Sequence, residues 1–188
     1  MFIQTESTPN PATLKFLPGK VVLESGTAEF RDEDEARAAS ALAARIFAIP
    51  GVTGVYFGYD FITVTKADAE WAHLKPAILG SIMEHFMSGQ PVMAGGARAE
   101  EADQEGEFFD DGDETIVATI KELLETRVRP AVAQDGGDIT FKGFRDGTVF
   151  LNMKGACSGC PSSTATLKHG VQNLLHHFVP EVQAVEAV

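Results

Sequence analysis

The residues with the most chemical potential in this chain are Cys157 and Cys160. They are its only cysteines among 188 residues, three positions apart in Gly155-Ala156-Cys157-Ser158-Gly159-Cys160-Pro161. A thiol pair at this spacing can chelate one metal centre or close a redox disulfide. Zinc and iron–sulfur clusters usually take four protein ligands, and one chain brings two thiols. A second copy completes the set, so the residues point to a soft-metal or cluster site shared across a homodimer. A thiol–disulfide oxidoreductase and a zinc-stabilised interaction module would use the same two residues, and both stay open here. The redox alternative is the weaker because no βαβ context precedes the pair. His169, His176 and His177 follow closely in the chain, but their spacing disperses them around a helix. They read as solvated or helix-end residues, and His73 and His85 as partly exposed surface ones.

The elements that must hold the pair can be read on either side of it. Leu167, Val171, Leu174, Leu175 and Phe178 recur at the steps of one buried helix face. Pro161 suits the first helical position and Pro180 stops the pattern. A glycine-flexed loop is therefore expected to present both thiols just ahead of a helix N-terminus, where the dipole lowers thiol pKa values. Thr164 and Thr166 read as caps of that helix. Upstream, Ile116, Ile120, Leu123, Leu124 and Val128 form a helical stripe up to Arg129-Pro130, continuing with a kink to Gln134. Asp135-Gly136-Gly137-Asp138 must turn sharply, and as a tight turn it also shapes the cysteine loop from beneath. It has neither the ligand spacing of an EF-hand nor the Lys-Ser/Thr of a P-loop. Ile139–Phe144 and Thr148–Met153 alternate about a three-residue loop, Arg145-Asp146-Gly147, and Val182–Val188 returns as an edge strand. The order is α-β-β-α-β.

Residues 1–92 read as a separate α+β domain. β-prone runs are expected at Met1–Thr5, Leu14–Phe16 and Val21–Leu23, and one helix over Glu33–Ile49. A hairpin follows from Val52–Phe57 and Phe61–Thr65. The last helix runs from Pro76 to Ser88, with a separate turn before it because proline is poorly tolerated deep in a helix. Residues 93–113 read as an acidic flexible linker: from Glu100 to Glu114 there are nine acids and no base, a stretch that repels itself. Phe108-Phe109 within it reads as a staple docking the linker on a domain. Residues 114–188 form the second domain. The fold class is thus two small α+β domains joined by that linker.

The net charge is −12, which argues against binding nucleic acid or an anionic membrane. No apolar run approaches the roughly 20 residues of a membrane span. The N-terminal residues carry neither signal-peptide nor transit-peptide character, so a cytoplasmic protein is expected. No Ser/His/Asp arrangement, HExxH or nucleotide-binding glycine pattern occurs, so an independent enzyme is not expected.

Four stretches resemble a known family. Arg129-Pro130 with Asp135-Gly136-Gly137-Asp138-Ile139, the run Gly155 to Lys168, and Pro180-Glu181-Val182 are similar to the C-terminal domain of NifU, found in Nfu-type iron–sulfur carriers. Gln4 to Phe16 resembles the N-terminal domain of two-domain Nfu proteins. The resemblance implies that two chains hold a [4Fe–4S] cluster through Cys157 and Cys160 of each, with use of a [2Fe–2S] form left open. It also implies that the cluster comes from an upstream assembly scaffold and passes to apo iron–sulfur proteins. Lys154 and Lys168 are candidates for screening the cluster's charge. The scaffold domain of full NifU and its cysteines are missing from this chain, so building clusters with a desulfurase is not expected.

Overall fold

The computed structural model describes residues 1–94, 106–158 and 161–188. Two compact units divide the chain, Met1–Ala99 and Glu100–Val188, and both are α+β. Among the described residues no helix is long and apolar enough to cross a membrane.

The first unit is a five-stranded sheet with helices. Its strands are β1 (Gln4–Ser7), β2 (Thr13–Leu17), β3 (Ala28–Phe30), β4 (Val52–Phe57) and β5 (Ile62–Lys66), in the spatial order β1-β2-β5-β4-β3 and antiparallel throughout. The expected β4–β5 hairpin forms, closed by Gly58 N–H donating to Phe61 O at 2.9 Å. Val21–Leu23 is not a strand. Its amides at Val22 and Leu23 donate to Tyr59 O, and the sheet edge is taken by β3 instead. The helix expected over Glu33–Ile49 is broken into α1 (Glu33–Ala39) and α2 (Ala41–Phe47).

Ser40 causes the break. Its backbone is extended, its N–H caps α1 on Ala36 O at 2.8 Å, and its Oγ accepts from Ala43 N at 3.1 Å to start α2. The same hydroxyl donates to Val92 O at 2.5 Å. The apolar period survives the break, because Ala36, Leu42, Ala43 and Ile46 all remain buried. The last helix of the unit, α3 (Trp71–Ser88), starts earlier than expected and carries Pro76 inside it. Pro76 is the sixth residue of α3 and forgoes the bond that its position would make back to Ala72 O, but Leu74, Ile78 and Ile82 on the same helix are buried in one cluster with Leu42, Ile46 and Phe57. Burial of that stripe outweighs the local cost. Gly89, in the left-handed region at φ 71°, ends α3.

The second unit has the expected order. After a 3₁₀ turn at Asp111–Asp113 come α4 (Glu114–Leu123), a π-type segment (Leu124–Val128) and α5 (Arg129–Gln134), which form one bent rod. Pro130 cannot donate a helical hydrogen bond, and the wider π-type winding beside it is a common way to absorb that loss. Strands β6 (Gly137–Arg145) and β7 (Thr148–Gly155) pair antiparallel, then α6 (Pro161–Phe178) crosses over, and β8 (Ala184–Ala187) joins β7 in parallel. Arg145 pairs with Thr148, so the hairpin loop is the two residues Asp146-Gly147 and not three. Both have positive φ, 51° and 77°, the pattern of a type I′ turn that matches strand twist. Ile139, Phe141, Leu151, Met153 and Val185 face the helices' Ile120, Leu124 and Leu175 across the core.

Most of the segment expected as linker, residues 95–105, lies outside the described residues. Its final part does not stand apart from the second unit: Phe108 forms a bridge with Gly143 on β6.

Candidate cluster-binding site

Asp135 caps α5, and Gly136 with φ 80° turns the chain into β6. Glycine is needed at 136 for that positive φ. At Gly137 the requirement is space. A β-carbon there would lie 2.5 Å from Cys157 Sγ and 2.8 Å from Lys154 O. The glycine pair thus leaves room for the cysteine loop to fold down onto the start of β6, and Ala156 N–H donates to Gly136 O at 3.2 Å. From the other side Thr164 Oγ donates to the Cys157 carbonyl at 3.0 Å, tying loop to α6. Thr164 is therefore a loop tether and not a helix cap, and Thr166 bonds back to Ser162 O.

Cys157 sits 6% exposed in the core of the second unit, among Ile139, Met153 and Val171. A thiol poised at a helix N-terminus with lowered pKa was expected. Burial instead pushes the Cys157 thiol up to about 12, and the Asp135 and Asp138 carboxylates add to the shift. Desolvation, which penalises the thiolate, is the larger cause. Cys160 lies outside the described residues.

Asp138, expected only as part of the turn, lies in β6 and has a partner that the sequence did not reveal. Its buried carboxylate receives a bidentate pair from Arg129, Nε and Nη2 each at 2.9 Å, and the Ile139 N–H at 2.8 Å. Arg129 also reaches Glu125 at 2.7 Å, and its pKa is raised mainly by the Asp138 hydrogen bond. The pair locks the end of the helical rod to the start of β6, which is the floor beneath Cys157. The signal was present as Arg129 and Asp138 flanking a double-glycine turn, but nine-residue spacing alone does not reveal an ion pair.

The other candidates disperse. His169, His176 and His177 are exposed, and His176 Nδ1 lies 2.7 Å from Val182 O. Lys168 pairs with Glu186 at 2.9 Å. His73 is exposed, but His85 is fully buried on α3, correcting the surface position expected for it. Among the described residues no three His, Cys, Asp or Glu side chains gather into a metal-sized group. The donor chemistry fits a soft metal nonetheless: one thiol is held in an apolar setting, its carbonyl fixed and a glycine beneath its sulfur.

Two family models match the chain, "Scaffold protein Nfu/NifU N terminal" over residues 3–89 and "NifU-like domain" over residues 120–186. The human protein named "NFU1 iron-sulfur cluster scaffold homolog, mitochondrial" is 50% identical over 190 aligned residues, covering 100% of this chain and 72% of that one. The chain belongs to the Nfu family. A second family member, "NifU-like protein 4, mitochondrial" of Arabidopsis thaliana, is 52% identical across 99% of this chain and 65% of its own length. The chain thus spans roughly two thirds to three quarters of these relatives. A solution structure of a NifU-like protein from Saccharomyces cerevisiae covers 50% of the chain and 86% of its own, at 30% identity and a TM-score of 0.46. The mitochondrial names of relatives that match along the whole of this chain overturn the cytoplasmic location expected from the N-terminal residues.

Proposed function

We propose that this Nfu-family chain is a non-catalytic carrier in iron–sulfur cluster assembly. Two copies hold a [4Fe–4S] cluster as cargo through Cys157 and Cys160 of each and hand it to apo-proteins. The carrying observation is a conjunction. A relationship along the whole of this chain to proteins named iron-sulfur cluster scaffold homologs coincides with a CxxC pair that supplies both of its thiols. Two thiols cannot fill the four corners of a cubane, so the second pair comes from a second copy. Residues 1–92 and 114–188 act as the two domains, with 93–113 between them. The second domain carries the cargo, and the cysteine-free first one serves acceptor recognition.

Loading starts from a protonated, buried Cys157. Its thiol gives up a proton as the sulfur–iron bond forms, and the loop must turn that sulfur toward the second copy. Gly155, with φ 64°, stands at the start of that loop. Delivery reverses this by ligand exchange. An acceptor thiolate forms a bond to iron, the bond from a carrier sulfur breaks, and the released thiolate takes up the proton that the acceptor thiol lost. Burial helps here, because the raised thiol pKa favours recapture of the proton once iron leaves.

The upstream donor is an assembly scaffold, since this chain has no further cysteines on which to build a cluster. An anaerobic mixture of loaded carrier and an apo [4Fe–4S] dehydratase tests the proposal. Enzyme activity should return as pigment moves to the acceptor, without free iron being trapped by a chelator in solution. Return of activity only through chelatable iron would reject the carrier reading.

A further inference from the structure

β6 is an edge strand, and an edge presents backbone groups that can pair with another extended segment. Here a short piece of the same chain is seated on it. Phe108 N–H donates to Lys142 O at 3.2 Å, and Phe144 N–H donates to Phe108 O at 2.9 Å, a parallel bridge. It falls where the β6–β7 register shifts between Phe141 and Gly143, so the carbonyl of the bulged residue is the acceptor.

The side chain has a seat of its own. A β-carbon at Gly143 would lie 2.5 Å from Cε1 and Cε2 of the Phe108 ring, so only glycine leaves the ring its place. The ring packs on Phe150 at 5.2 Å between centroids, and the Arg145 guanidinium stands 5.1 Å from the ring centre. One residue earlier, Glu107 pairs with Lys121 at 2.5 Å, and Lys121 in turn lies over the Phe141 ring. Backbone register, ring seat and a cation for each of the two side chains are what recognition of an extended peptide requires.

We infer that the β6 edge is a docking site for an extended segment with an acid directly before a phenylalanine, and that the chain's own Glu107-Phe108 fills it in the free protein. Such a segment of a partner docks only by displacing this strap, so the strap sets a threshold for binding. The site stands apart from Cys157 and does not depend on the cluster proposal.

The test uses the full chain with Phe108→Ala, which leaves the apolar core of the second unit intact. Amide exchange at Phe144 should accelerate about tenfold or more, as expected when a local contact opens. A synthetic peptide of residues 106–112 added in trans should then shift the Lys142–Arg145 amide signals saturably and restore Phe144 protection. Wild-type chain, its seat filled, should respond at least about tenfold more weakly, and a peptide with alanine for the phenylalanine should not bind. Gly143→Ala serves as a second variant: it should open the strap and also block the peptide. Unchanged Phe144 exchange in both variants, no peptide response at millimolar concentration, or equal binding by wild type would each overturn the inference.

Discussion

Cys157 is held in three ways: its sulfur lies beside Gly137, its carbonyl accepts from Thr164, and its neighbour's amide is tied to Gly136. Its core position implies a modest packing role beside the ligation proposed for it. Cys157→Ala should lower the unfolding free energy by about 1–2 kcal/mol through the small void it leaves, while abolishing iron binding after reconstitution. Urea titration and iron assay on the same sample check both halves. His85 carries a second prediction at this scale. It is fully buried, neither ring nitrogen has a hydrogen-bond partner, and its pKa lies below 6.5, first because of burial and then because of Arg45. The backbone of Gln90 pushes the other way without closing a bond of normal geometry. A folded-state pKa below the unfolded one means the unfolded chain binds the proton first as pH falls. The stability contribution is therefore whole above about 6.5 and is lost below it, at up to about 1.4 kcal/mol per pH unit. The urea midpoint of the first unit should drop between pH 7.5 and 5.5, and His85→Leu should flatten that slope.

Among the elements, Ser40 separates two short helices that an uninterrupted apolar period had merged. One hydroxyl starts α2 and also holds Val92. Ser40→Ala should cost about 1–2 kcal/mol through loss of the cap, measurable as a lowered denaturation midpoint without change in helix content beyond the junction. This break shows why some elements could be read and others not. Periodicity reports which face is buried, here that of Leu42, Ala43 and Ile46; it is silent about a single polar residue that caps in both directions. The α6 helix, the β6 and β7 strands and the double-glycine turn were legible because each has a local signature. The two-residue loop at Asp146-Gly147 and the strand β3 were not, since register and edge choice are set by partners far away in sequence.

At the scale of the whole molecule, two α+β units could be read directly from residue types and spacing. The setting of Cys157 could not. Its burial depends on how the loop folds against Gly137 and the carboxylates of Asp135 and Asp138, contacts that are tertiary. The bidentate lock between Arg129 and Asp138 was hidden for the same reason. What remains for the assembled protein is whether two half-sites make one. Reconstitution of the full chain with iron and sulfide under argon, followed by metal analysis and light-scattering mass on one chromatographic peak, addresses this most directly. The account predicts a brown species of twice the chain mass holding about four iron and four sulfide per pair of chains. A colourless monomer, or iron bound at full stoichiometry by a species of single-chain mass, would contradict it.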